Sequence, residues 1–119
     1  MYLGRMDAAH RRPFDVFSPA CPSRQVFDTI FSRWGILVLS RLTDQPARFS
    51  DIRRGVGGIS EKMLAQTLRV LEDEGLIVRR EWEDAQRVEY ALTPAGSSIS
   101  TRLGGVIQEL YGVLAQRQG

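Results

Sequence analysis

A single cysteine, Cys21, and a single histidine, His10, are all that this 119-residue chain offers to thiol and imidazole chemistry. One cysteine excludes an intramolecular disulfide and any cysteine-based zinc finger. A Ser-His-Asp or Cys-His catalytic unit would have to recruit His10. That residue stands in a charged N-terminal arm, a poor support for a general base that must be held to about half an ångström. Long apolar runs are missing too: none approaches the roughly 18 residues of a membrane span. Met1 to Pro19 contain no apolar stretch of the kind a secretion signal needs, so a cytoplasmic protein without membrane contact is expected. No metal-ligand cluster, phosphate loop or catalytic carboxylate pair can be picked out. No enzyme activity, metal or cofactor is therefore expected.

Lysine is equally scarce. Lys62 stands alone among sixteen basic residues, the other fifteen being arginine. Arginine favours bidentate contacts to phosphate or guanine over point-charge contacts, although a GC-rich genome produces the same bias. Fourteen acidic residues leave a formal net charge of +2. Such a balance permits nucleic-acid binding without calling for it, and the placement of the positive charges decides.

What the chain does have is one core's worth of apolar residues, 43% of the total, in a length suited to a single domain. Residues 1–19 show no sustained period and read as an arm. Val26, Phe27, Ile30 and Phe31 recur at helical spacing after Pro22, predicting a first helix from Pro22 to Ser32. A second helix, Trp34 to Leu42, is apolar over most of its circumference. Arg48 and Phe49 allow only a short strand, and Ser50 can cap a short helix from Asp51 to about Gly55. After the turn Val56-Gly57-Gly58-Ile59, Ser60 caps an amphipathic helix from Glu61 to Glu74, which Gly75 ends. Leu64, Leu68 and Leu71 form its inner stripe, while Lys62, Gln66, Arg69 and Asp73 form a polar one. Leu76 to Trp82 and Arg87 to Leu92 alternate as two strands of a hairpin. Thr93-Pro94 opens a last helix whose seam is Ile99, Leu103, Val106, Ile107, Leu110 and Leu114.

A short helix, a tight turn and an amphipathic helix make a helix-turn-helix, and the hairpin directly after it makes the winged form. The fold class expected is therefore α+β, mainly α. It comprises an arm (1–19), a winged helix-turn-helix (20–93) and a C-terminal dimerisation helix (94–119). A helix held inward by leucines has only its outer stripe left for the major groove. Lys62 and Arg69 suit phosphate or guanine, Gln66 suits adenine, and Met63 or Thr67 suits a thymine methyl. Ser60, at the helix N-terminus, is placed beside a phosphate. Any amphipathic surface helix shows mixed charges; the turn before this one and the hairpin after it favour DNA.

Several stretches carry a resemblance. They are Arg48-Phe49-Ser50-Asp51-Ile52-Arg53, Gly58-Ile59-Ser60-Glu61-Lys62-Met63-Leu64 and Leu71-Glu72-Asp73-Glu74-Gly75-Leu76-Ile77. With Cys21-Pro22 and Arg87 to Gly96, they closely resemble HxlR-type regulators from Cys21 to Gly96. The resemblance implies a dimeric winged-helix transcription factor that binds double-stranded DNA at a palindromic operator. Its recognition helix maps onto Ser60 to Glu74. Two departures stand out. The wing is short and acidic (Glu81, Glu83, Asp84), which leaves backbone contact to Arg79, Arg80 and Arg87, with Arg53 beside the recognition helix. Thr67 stands where the family often has arginine.

The terminal seam, with Phe27 and Phe31 of the first helix, exceeds what one small core can cover. Leu103, Ile107, Leu110 and Leu114 are expected at a two-fold interface that sets two recognition helices about 34 Å apart. Gly104-Gly105 in mid-helix points to close approach of the partner. Cys21 precedes a helix N-terminus, where the dipole lowers a thiol pKa, and Arg24 lies one turn on. Regulators of the resembling family sense oxidants or electrophiles at this motif, so Cys21 is either a redox sensor or an inert helix-starting residue. No effector is assigned, since so small a core leaves little room for a ligand pocket. The competing function is a winged-helix module used for protein–protein contact, which the acidic wing would suit.

Overall fold

Ser32 separates the first two helices. Its hydroxyl accepts the Gly35 N–H at 3.1 Å and so caps α2 (Arg33–Arg41), leaving α1 to span Ser23–Ile30. An N-cap needs extended backbone, which Ser32 has at ψ 164°, so the first helix cannot run through it. The computed structural model describes residues 15–83 and 87–118. Residues 1–14 of the predicted arm (1–19), with His10, and the wing-tip residues Asp84, Ala85 and Gln86 lie outside the described residues.

The short third helix, α3 (Phe49–Gly55), starts earlier than Ser50 would allow. Asp51 takes the capping role instead, its carboxylate accepting the Arg48 N–H at 3.4 Å. The strand expected at Arg48-Phe49 shrinks to one bridge, in which Ala47 and Tyr90 exchange N–H···O bonds at 3.0 and 2.8 Å. After the turn comes α4 (Glu61–Asp73), capped by the Ser60 hydroxyl, which accepts the Met63 N–H at 3.0 Å. The turns on either side need left-handed backbone, supplied by Gly58 (φ 89°) and Gly75 (φ 76°). The hairpin then pairs β1 (Ile77–Trp82) with β2 (Arg87–Leu92), Ile77 opposite Leu92 and Trp82 opposite Arg87.

One core binds these elements. Val38 and Leu39 of α2, Ile52 of α3, Leu64, Leu68 and Leu71 of α4 and Ile77 of β1 are buried in it. The second helix is less apolar-sided than expected, for Leu37 is exposed. The last helix, α5 (Pro94–Gln118), enters the same core with its first turns. Thr93 caps it by accepting the Gly96 N–H at 3.1 Å. Gly96 lets it approach the hairpin: a Cβ there would fall 1.8 Å from the Leu76 carbonyl oxygen. Ser100, fully buried, donates to the Leu39 carbonyl at 3.0 Å and is hydrogen-bonded to Thr43. Leu103 is likewise buried at 6% exposure, which corrects its assignment to a dimer seam: in this chain it is core. Beyond it the same stripe leaves the core, so that Leu110 and Leu114 are exposed and Ile107 half-buried. No helix among the described residues is long and apolar enough to cross a membrane.

Candidate nucleic-acid interface

The inward stripe of α4 decides which of its residues can meet DNA. With Leu64, Leu68 and Leu71 buried, Lys62, Gln66 and Arg69 fall on the opposite side, and all three are exposed. Their spacing of four and three residues puts them in one row along the helix. Met63 lies on the flank at 36% exposure.

Thr67 does not belong with them. It is 4% exposed and therefore cannot touch a thymine methyl from where it stands. The reason is visible in the spacing: Thr67 follows Leu64 by three residues and precedes Leu71 by four, so it shares their face. The absence of an arginine at this position consequently removes nothing from the exposed row.

The arginines predicted around α4 divide into paired and unpaired groups. Arg53 bonds Glu61 at 2.8 Å, which ties α3 to the start of α4 across the turn. Arg79 is paired with Glu81 along β1. Tyr90, opposite it on β2, raises the Arg79 pKa further by hydrogen bonding, with Glu81 adding to the effect. Arg87 lies over the Trp82 ring at 5.2 Å and 3.8 Å from Glu89. By contrast, Lys62, Arg69 and Arg80 have no carboxylate partner among the described residues. Exposed ion pairs of this kind contribute only about 0–1 kcal/mol, so a phosphate can displace the carboxylates. The acidic flank at Glu81 and Glu83 nonetheless makes the wing less attractive to phosphate than the row on α4.

Sequence reasoning passed over one cation. Arg33 opens α2, exposed, with its guanidinium 5.2 Å from the Trp34 ring centre. A basic residue in the first turn of a helix, where the dipole disfavours it, was the available signal.

On the side of α1, the Phe27 and Phe31 rings meet at 4.7 Å between centres, tilted by 38°, and remain exposed. With Val26 and Ile30 they line an open apolar hollow of about 620 Å³. Cys21 sits before α1, half-buried, its Sγ accepting the Asp15 N–H at 3.2 Å and lying 3.1 Å from the Ser23 hydroxyl. The Ser23 hydroxyl and then the Asp15 amide hold the thiol pKa below its ordinary value. Arg24, the helper expected from the sequence, pairs with Asp28 at 3.5 Å instead. Among the described residues no three His, Cys, Asp or Glu side chains are grouped as a metal site requires.

Comparison with known proteins identifies the family. The model of the HxlR-like helix-turn-helix family matches residues 29–116. The HTH-type transcriptional regulator YtfH of Escherichia coli is 44% identical over 93 residues, 77% of this chain and 74% of its own. The structure of YtfH from Salmonella typhimurium superposes with a TM-score of 0.75 at 43% identity, covering 89% of this chain and 99% of that one. The reduced form of the regulator YodB from B. subtilis superposes with a TM-score of 0.60 at 35% identity, covering 77% and 88%. YodB is also known in diamide-treated and quinone-bound forms.

Proposed function

Because this chain belongs to the HxlR-like helix-turn-helix family of transcriptional regulators, we propose that it reads a palindromic DNA site as a homodimer. One α4 enters the major groove in each half-site, and the flanks of the hairpin follow the adjacent backbone. The observation that carries this reading is the row Lys62, Gln66 and Arg69, exposed on a helix whose other face is locked in the core. Its width fits the groove, and its side chains are those that pair with base edges.

Dimerisation through α5 is supported by the stripe that outruns the core. Leu110, Tyr111 and Leu114 expose large apolar area that a single chain leaves in water. A Cβ on Gly104 or Gly105 would meet nothing among the described residues, so the chain itself gives no reason for glycine there. A helix from a second copy does. The exposed pair Phe27 and Phe31 adds a further apolar patch for that copy to cover.

The test is a fluorescence anisotropy titration of the reduced protein against DNA from upstream of its own gene, with a scrambled duplex at the same salt. A preference of about a thousandfold or more, with affinity falling steeply on added salt, is expected. Equal, weak and salt-insensitive binding to both duplexes would overturn the proposal. It would favour the second reading, a protein-contact module, which draws on the acidic wing and the exposed Trp82.

Cys21 is the point at which a chemical signal enters in this proposal. Its two hydrogen bonds favour the thiolate, the form that attacks electrophiles. Conjugate addition of the thiolate to a quinone forms a C–S bond as a ring C=C π bond breaks, and the electron pair moves to the carbonyl oxygen, which takes up a proton. Diamide, a two-electron oxidant, instead joins Cys21 to a second thiol, that of the other copy or a small thiol, and is itself reduced to the hydrazine. The added group would stand beside the start of α1 and the apolar hollow, where it would alter the interface and with it the spacing of the two α4 helices. Alkylation by iodoacetamide should reach half its maximal rate at a pH below the roughly 8.5 of a free cysteine. Cys21→Ser should bind DNA as the reduced protein does, yet no longer respond to diamide or quinone; an unchanged response would sink the sensor role.

A further inference from the structure

Arg33 is placed against the interest of its own helix. As the first residue of α2 it brings a positive charge to the positive end of the helix dipole. No carboxylate among the described residues pairs with it, and the nearby Asp28 is engaged by Arg24 at 3.5 Å. What holds Arg33 is Trp34, whose ring attracts a guanidinium over its face.

Trp34 itself is anchored beside α4. Its Cη2 lies 3.7 Å from where a Cβ on Gly58 would stand, in the turn that leads into α4. It also lines, with Met63 and Gln66, a hollow of about 250 Å³ along the flank of α4. One half-buried ring therefore links Arg33 to the turn before α4 and to a residue of the reading row.

We infer that Arg33 grips a backbone phosphate on the strand bordering the groove that α4 enters. The inference rests on the DNA-reading role of α4 and adds to it a residue from a different helix. A planar guanidinium suits phosphate bidentately, and stacking on Trp34 reduces the side-chain freedom lost on binding. A phosphate at this place also faces the positive end of α2, so the charge that opposes the helix alone is compensated in the complex. Such a contact positions the protein without carrying sequence information.

The experiment compares Arg33→Gln and Arg33→Lys with wild type by anisotropy, on the preferred and scrambled duplexes, between 50 and 200 mM salt. Arg33→Gln should bind both duplexes about tenfold more weakly, because a charge-assisted contact is lost from each. The slope of log K on log salt should become shallower by about 0.9 for each bound copy, whereas Arg33→Lys keeps the slope. The melting temperature of Arg33→Gln should change little, since loss of the Trp34 contact and relief of the helix dipole oppose each other. Wild-type affinity and slope in Arg33→Gln, while Lys62→Ala still weakens binding, would overturn the inference and leave the role of α4 standing. A loss confined to the preferred duplex would overturn it as well. A wild-type protein that binds neither duplex would overturn both.

Discussion

Lys62→Ala and Arg69→Ala should each weaken binding to the preferred duplex by about 1–3 kcal/mol, if each side chain reaches a base, and relax the preference at one position. Removing both should leave little discrimination between preferred and scrambled DNA. The expectation follows from position. Both side chains are exposed, neither is paired with a carboxylate among the described residues, and both share one row with Gln66. Folding should be untouched, because surface substitutions of this kind usually change stability by no more than about 0.5 kcal/mol. Thr67→Ala provides the contrast. Buried at 4% exposure, Thr67 should affect stability and leave base preference alone. Anisotropy titrations on duplexes with single base changes decide the matter. Unaltered binding in both Lys62→Ala and Arg69→Ala would move the reading face elsewhere.

Leu68→Ala should cost about 2–5 kcal/mol of folding free energy, from lost burial plus the cavity left behind. Leu68 is 2% exposed and faces the core from α4, among other fully buried leucines and isoleucines of the same cluster. A loss of this size is a large part of the roughly 5–15 kcal/mol that holds a domain of this kind folded. Urea unfolding should show a lower midpoint with an unchanged slope. Because Leu68 anchors the reading helix, DNA affinity should fall only as the folded fraction falls. An unfolding free energy within about 0.5 kcal/mol of wild type would mean that α4 is not held as described.

Leucine spacing accounts for what was legible beforehand. Leu64, Leu68 and Leu71 at intervals of four and three admit only one inward face for α4, and alternation across Arg87 to Leu92 admits only a strand. Gly58 before Ser60 and Gly75 after the helix fix its ends, since left-handed backbone is almost closed to other residues. Helix, turn, helix and hairpin in that order then point to a winged helix, and the exposed row follows from the buried one. Local chemistry was sufficient because the competing states were few.

Other features are decided only by the folded arrangement. Leu103 and Leu110 belong to the same stripe of α5. Whether each is core or surface turns on where α2 and the hairpin end beneath the helix. Arg53, Arg79 and Arg87 look alike in the sequence as basic flanks, yet each has a carboxylate neighbour once the strands and helices are placed. The thiol of Cys21 is tuned by the Asp15 amide and the Ser23 hydroxyl, while Arg24 turns to Asp28. Arg33 gains its link to α4 through Trp34, whose ring lies beside the Gly58 turn, more than twenty residues away. Periodicity reports which side of an element is apolar, a property of consecutive residues. Burial depth depends on what packs against an element from elsewhere in the chain, and charge pairing on how neighbouring side chains are oriented, neither of which the apolar period encodes.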